Sequence, residues 1–194
     1  MKPILLGLTL PFLIAFNVYA QESTHAQVPD SVPQGWKEFS PNDGNFKVLM
    51  PGVPRQVSEP IDKTVPATSI LYGLTTKTVE FSVGYTAFLK DVETIQPSKL
   101  TLDGIRDRVL DKEAGKLLAE EDILVENHPG RALAIEVTDG IFRDKYILAG
   151  NRLYIASVFI HKPEAASESD RQGIRKSQEE IAKRFLDSFK LIVK

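Results

Sequence analysis

Residues 130–162, which read GRALAIEVTDGIFRDKYILAGNRLYIASVFIHK, decide the fold of this chain. Asp139-Gly140 and Gly150-Asn151 are typical of tight hairpin turns, where the backbone must adopt positive φ. They divide the stretch into three strands. The third strand, residues 153–160, is apolar on both faces except at Ser157. Because such a strand must be covered on both faces, the sequence predicts a strand in the middle of a sheet, between two packed layers.

The first twenty residues have the pattern of a signal peptide. Lys2 gives a positive start, residues 4–16 are apolar, and Val18 and Ala20 are the small residues that precede a cleavage site. The apolar run is shorter than the about 20 residues that a membrane-spanning helix needs. We therefore predict cleavage after Ala20 and export to the periplasm or the extracellular space, with no membrane span in the mature protein. An uncleaved anchor is the alternative.

The composition argues against several classes of function. The 194 residues include 24 Lys and Arg against 26 Asp and Glu, a net charge of −2, whereas a nucleic-acid-binding domain usually shows a basic stripe. Because the sequence has no cysteine, disulfides, thiolate catalysis, Cys-ligated zinc and a cysteine-linked lipid anchor are excluded. The length that remains after cleavage suits one domain.

The rest of the chain shows strand patterns interrupted by two helical ones. Residues 21–35 are polar and predict a flexible leader. Four or five strands are predicted before residue 88, and apolar spacing predicts a helix over residues 96–115. Another strand follows over residues 117–126, and His128-Pro129-Gly130 predicts the turn that ends it. A second helix should begin after Ser167, and a short strand should close the chain.

This order of elements predicts an α+β domain over residues 36–194, built on a mainly antiparallel sheet. The central strand needs cover on both faces, and one helix cannot supply it. We therefore expect helices on both faces of the sheet.

Several turn and core motifs of the chain resemble those of PsbP-like proteins. The motifs are Trp36-x-x-Phe39, GNFKVLMPGVP at 44–54, Pro129-Gly130-Arg131, NRLY at 151–154 and RFLDSFKL at 184–191. Together they resemble small exported bacterial proteins of the PsbP-like superfamily, which is named after an extrinsic subunit of photosystem II. The resemblance covers residues 36–194. It implies an α-β-α sandwich and a non-catalytic role, usually docking to a larger assembly, and it supplies no catalytic set.

The candidate chemical groups do not combine into a catalytic, cofactor-binding or metal-binding set. His25, His128 and His161 lack the spacing of a metal site, although the last two could meet across a sheet edge. The acidic residues 120–122 have oxygen ligands that suit calcium or manganese, but successive strand side chains point to opposite faces. We expect these acids to face water. Ser157 lies outside any Gly-x-Ser-x-Gly motif.

Three basic residues near the second hairpin turn form the one candidate contact surface. Arg143, Lys145 and Arg152 predict a basic outer patch that could contact an anionic group. Simple solubility of an exposed hairpin face is the alternative explanation.

Two functions follow from these observations. The favoured one is an exported, non-catalytic binding or docking module of the cell envelope, with a protein or an envelope assembly as partner and without a cofactor. The alternative is a small-ligand or metal-binding protein, or a weak hydrolase, that uses a cleft in the sandwich. The residues that could line such a cleft are aromatic: Phe81, Tyr85, Phe142, Tyr146 and Tyr154.

Overall fold

The structure, a computed structural model, describes residues 35–57, 67–88, 98–164 and 167–192. The predicted signal peptide and all but the last residue of the predicted leader lie outside the described residues. The described elements, in chain order, are β1 (Lys37–Phe39), β2 (Phe46–Met50), β3 (Arg55–Val57), β4 (Ala67–Thr75), β5 (Val79–Phe88), α1 (Ser98–Glu113), β6 (Lys116–Val125), β7 (His128–Val137), β8 (Gly140–Ala149), β9 (Arg152–His161), α2 (Glu168–Ser188) and β10 (Lys190–Leu191).

Seven strands form one antiparallel sheet in the order β3-β4-β5-β9-β8-β7-β6. β9 lies at its centre and pairs with β5 on one side and β8 on the other. All residues from 153 to 160 are buried except Phe159, which is partly buried. The predicted central strand and the mainly antiparallel α+β architecture are therefore confirmed.

A second, three-stranded antiparallel sheet joins the two ends of the domain. β2 lies between β1 and β10, whereas the sequence analysis predicted a single sheet. The separation follows from β2, whose alternate residues Phe46, Val48 and Met50 are fully buried in the cluster that also holds Phe185 and Phe189. β2 therefore packs over the main sheet instead of extending it.

The described residues form two hydrophobic core clusters, and the side chains of β9 alternate between them. The larger cluster takes the even-numbered residues from Tyr154 to Ile160 and contains residues of α2 and β2. The smaller cluster takes Leu153 and Ile155, together with Leu102 and Ile105 of α1. The period of two is the one that a strand imposes on its side chains.

The turn between β6 and β7 differs from the predicted one. It consists of Glu126 and Asn127, which both have positive φ, at 48° and 67°, as a two-residue hairpin requires. The predicted turn residues His128, Pro129 and Gly130 instead begin β7. Pro129 fits there because the pairing of β7 with β8 starts only at Gly130, so the missing proline N–H interrupts no pairing with β8.

The next two hairpin turns lie close to their predicted positions. Gly150-Asn151 connects β8 to β9, and Gly150 has a φ of 58°. The first turn is shifted by one residue, to Thr138 and Asp139, and Gly140 is the first residue of β8. Gly140 is needed there for space, because a Cβ atom at this position would lie 2.2 Å from the carbonyl oxygen of Ile160.

The two helices begin and end close to their predicted bounds. Ser167 caps α2, accepting a hydrogen bond from the backbone N–H of Asp170, as its side chain predicts. The aromatic residue Phe185 of α2 is fully buried. Neither α1 nor α2, the helices in the described part of the chain, has an apolar stretch long enough to cross a membrane.

Gly140→Ala should lower the free energy of unfolding by about 1–3 kcal/mol, because the new methyl group forces apart the backbones of β8 and β9. Gly104→Ala in α1 is the matched control, since a Cβ there meets no atom within 4 Å and alanine favours the helix by up to about 1 kcal/mol. Urea unfolding of the two variants measures both effects. Equal stability of Gly140→Ala and the unmodified protein would contradict the close approach.

Candidate functional site

The first two residues of the predicted basic patch pair with α2. Arg143 lies on β8 and its Nη2 atom lies 2.7 Å from Oε1 of Glu179. The Nζ atom of Lys145, two residues further along, donates to the carbonyl oxygen of Leu186 at 3.0 Å and lies 3.3 Å from Asp187. These contacts attach α2 to β8.

The third residue of the patch holds the loop before β2. The Nη1 atom of Arg152 donates to the carbonyl oxygens of Asp43 and Gly44, at 2.7 and 3.2 Å. Its guanidinium group also lies 4.2 Å from the centre of the Tyr85 ring, a cation–π arrangement. Contact of Arg143, Lys145 and Arg152 with an anion stays a prediction, and an anion would have to compete with these intramolecular partners.

Three buried polar side chains form a row across the main sheet. Ser82 of β5 is the register partner of Ser157 of β9, which is the register partner of Asp144 of β8. All three are at most 5% exposed. The hydroxyl of Ser157 donates to Oδ1 of Asp144 at 2.5 Å, and the hydroxyl of Tyr146 donates to Oδ2 at 3.2 Å. Within the described residues, the Oγ atom of Ser82 has no hydrogen-bond partner.

Burial dominates the electrostatics of this row. It raises the pKa of Asp144 to about 6, while the hydroxyl groups of Ser157 and Tyr146 act in the opposite direction and the charge of Glu113 adds to the rise. Burial, followed by the charge of Asp144, raises the pKa of the Tyr146 hydroxyl well above its ordinary value. Desolvation penalises a charged group most when no opposite charge lies nearby.

The predicted candidates for catalysis and metal binding do not come together. His161 lies 2.8 Å from Glu80 at one end of the main sheet. Its register partner Gly140 faces Val137, the last residue of β7, whereas His128 is the first residue of that strand. The two histidines therefore do not meet across a sheet edge. Within the described ranges, no group of three or more His, Cys, Asp or Glu residues could hold a metal ion.

The aromatic residues of the predicted cleft lie in two separate clusters. Phe81, Tyr85 and Tyr154 belong to the cluster that contains α2, and Phe142 and Tyr146 belong to the cluster that contains α1. All five are buried. This aromatic set therefore fills the core and does not line one cleft.

A shallow cavity of about 180 Å³ lies at the start of α2. Its basic residues include Lys162, Arg171 and Arg175, and Glu168 lies among them. The guanidinium of Arg171 lies 2.9 Å from the Glu168 carboxylate and holds its pKa below the ordinary value. Because the carboxylate offsets part of the positive charge and the residues are exposed, the cavity resembles an ordinary polar surface.

The acidic residues of β6 bind arginines, which the sequence analysis missed. Arg131 of β7 is only 3% exposed and pairs with Asp103 of α1 at 3.0 Å, with Asp122 at 2.7 Å and with Glu120. Arg106 of α1 also donates to Glu120, at 3.1 Å. This network attaches α1 to β6 and β7. Glu120 and Asp122 are exposed, as expected, and in addition they pair with arginine.

The sequence contains a signal for the pairing of Arg131 with the acids of β6, but only when the turn between β6 and β7 is placed where the structure has it. With Glu126 and Asn127 as the two turn residues, the hairpin register places Asp122 opposite Arg131. Opposite charges in register are a recognisable cross-strand signal. The predicted turn at residues 128–130 hid it, because Arg131 then lies too close to the turn.

β6 forms one edge of the main sheet and, in the described part of the chain, pairs only with β7. It is ten residues long, whereas β3 at the other edge has three. Leu118 and Leu124 of β6 are 44% and 75% exposed. The acidic residues 120–122 lie between the two leucines. This edge, named the β6 edge below, combines unpaired backbone with exposed apolar and acidic side chains, which are features of a surface that binds other polypeptides.

Asp144→Asn should make the protein more stable at neutral pH and flatten the pH dependence of its stability. The folded-state pKa lies near 6 and the ordinary value is 3.8. The stability that the protonated form contributes is therefore fully present below pH 3.8 and is lost as the pH rises through 6. The gain at pH 7 should be on the order of 2–3 kcal/mol, since asparagine preserves the shape and carries no charge.

Urea unfolding between pH 4 and 8, followed by the fluorescence of the single tryptophan, measures this difference. Asp111→Asn on the exposed side of α1 is the matched control. Parallel pH profiles of Asp144→Asn and the unmodified protein would show that the carboxyl group titrates normally.

No protein-family model and no curated protein matches the sequence. Among solved structures, the chain is similar to cyanobacterial PsbP (CyanoP) from Synechocystis sp. PCC 6803, with 11% identity, a TM-score of 0.51, and coverage of 88% of this chain and 98% of that one. A protein of unknown function from Pseudomonas aeruginosa, PA94, matches with 12% identity and a TM-score of 0.37, over 75% of this chain and 92% of that one. The likeness to CyanoP shows that this chain has a PsbP-like fold.

Proposed function

We propose that this protein is an exported, non-catalytic module that docks to a protein partner or an envelope assembly. The observation that carries the proposal is the β6 edge. It leaves a ten-residue strand unpaired on one side within the described residues, and Leu124 exposes three quarters of its surface there. An exposed apolar side chain on a long open edge costs solubility and invites pairing with another chain, so its presence favours a binding role.

The internal polar groups also favour binding over catalysis. Ser157 donates to Asp144 directly, with no histidine between them to act as a general base. His161, on the same strand as Ser157, is bound to Glu80. A nucleophile needs an adjacent base that a third group orients, and these contacts do not supply that arrangement.

We further infer that α1 and α2 cover opposite faces of the main sheet, as in an α-β-α sandwich. The alternation of β9 side chains between the two core clusters supports this inference. The helices and the small sheet then cover the two faces of the main sheet. The edges of the main sheet are the parts that they leave open to a partner. A docking surface on an edge follows from that arrangement.

Export should be visible in the mass of the mature protein. Cleavage after Ala20 predicts that the protein isolated from its native host begins at Gln21 and is found outside the cytoplasm. Intact-mass measurement of the fractionated protein tests this. A cytoplasmic protein that retains Met1 would contradict export without bearing on the docking surface.

Docking should be visible by site-specific photocrosslinking in the native host. A benzoylphenylalanine residue in place of Leu124 should give a discrete adduct with one protein, because crosslinking requires close contact at the β6 edge. The same photoreactive residue in place of Glu180, which is exposed on α2, is the matched control. Adducts of equal yield from both positions, or none from Leu124, would count against the proposal.

A further inference from the structure

We infer that the β6 edge accepts an extended segment of the partner as an additional strand, and that this segment carries Lys or Arg at its centre. The inference rests on the docking function proposed above and names the partner's chemistry. It arises from three properties of β6: a backbone that is unpaired on one side in the described part of the chain, the order of its charges and the position of its leucines.

The backbone of β6 can pair with a further strand. Along an edge strand, alternate residues point their N–H and C=O groups away from the sheet, so the edge is a template for another extended chain. β6 offers ten residues, about the length of the strands inside the sheet. In the described part of the chain, β3 at the opposite edge offers three residues.

The charges of β6 select a basic segment. Glu120, Glu121 and Asp122 are consecutive and lie at the middle of the strand. Glu120 and Asp122 share a face and already hold Arg131, but Asp122 is still 76% exposed. Glu121 points to the other face, and among the described residues no ion pair of its side chain with a cation is found. Opposite charges in register across strands stabilise a pair, so lysine or arginine opposite these acids would contribute on both faces.

The same charges disfavour the other occupants of an open edge. A second copy of this chain, paired antiparallel through β6 with Glu121 opposite Glu121, would place acids 120–122 of one copy opposite those of the other. Like charges directly opposite one another are destabilising. Nucleic acids and anionic lipid surfaces are repelled for the same reason. The acidic centre therefore leaves a basic polypeptide as the occupant.

The leucines predict apolar residues on either side of the basic centre. Leu124 follows Asp122 by two residues and so lies on the same face. Leu118 lies on the other side of the acids, where the register of β6 shifts between Leu117 and Ala119. A shift of this kind is typical of a bulge, which re-aims a side chain. The fitting segment is thus apolar, basic and apolar in order.

A designed peptide tests the inference directly. The probe is the capped, fluorescein-labelled decapeptide TLTVKRKVTL, and fluorescence anisotropy measures its binding to the full chain. The peptide TLTVEEEVTL has the same pattern with the charge reversed and should not bind. Two further peptides keep the basic sequence and carry N-methyl groups on alternate residues, odd in one and even in the other.

Strand addition predicts that one N-methylated peptide loses binding and the other retains it, because alternate N–H groups of a strand point to opposite edges. Charge attraction alone predicts that both bind equally well. Glu121→Lys should weaken binding of the basic peptide by about fivefold or more. Glu180→Lys, the same charge change on α2, should alter it by less than about twofold.

Equal binding of the two N-methylated peptides would overturn strand addition, and equal binding of the acidic and basic peptides would overturn the charge selection. Failure of all four peptides to bind would overturn the inference as a whole. The photocrosslinking experiment separates this result from the docking function: an adduct at Leu124 without peptide binding would leave the docking module standing and reject only the basic strand. Amide chemical shifts of residues 116–125 locate the bound peptide on β6.

Discussion

The burial of β9 on both faces is the constraint on which the rest of the structure depends. Side chains of a strand alternate between faces, so an apolar octapeptide gains its burial energy, about 25 cal/mol per Å², only if both faces are covered. β9 contributes side chains to two core clusters, one that contains residues of α2 and β2 and one that contains residues of α1. The ionic network of Arg131 also attaches α1 to β6 and β7 at the edge of the sheet.

The buried carboxyl group of Asp144 does not stabilise this core. It is buried with two hydroxyl donors, and the described residues place no cation against it. Two hydroxyl hydrogen bonds offset only part of the desolvation of a carboxylate, as its raised pKa shows. At neutral pH this residue therefore reduces stability. Ser82, two strands away across Ser157 of β9, also lacks a hydrogen-bond partner within the described residues, so two incompletely satisfied polar groups lie in the same row of the core.

The sequence predicts the strands whose hydrophobic pattern is strong. It misplaces the turn between β6 and β7, where residue composition favours a position other than the one at which the chain reverses. Residues 153–160 could be placed at the centre of a sheet because no other arrangement buries both of their faces. His128-Pro129-Gly130 has better turn composition than Glu126-Asn127, yet the chain reverses at the latter, with two non-glycine residues at positive φ. Moving a turn changes every register partner, which is why the bond between Asp122 and Arg131 was not predicted. β10 has only two residues, too few for any pattern to assign it to the small sheet.

The contrast between the two edges of the main sheet bears on what the β6 edge does. Proteins commonly protect an edge by making it short, by bulging it or by placing charge on it. Within the described residues β3 is short, whereas β6 is long and combines the other two devices. A strand that was only protected against pairing would be short and would not expose an apolar residue such as Leu124. The acids at the centre of β6 disfavour pairing between copies. Charges that disfavour a second copy favour a chain of opposite charge, so on this strand protection against self-association and the partner selection that we propose rest on the same three side chains.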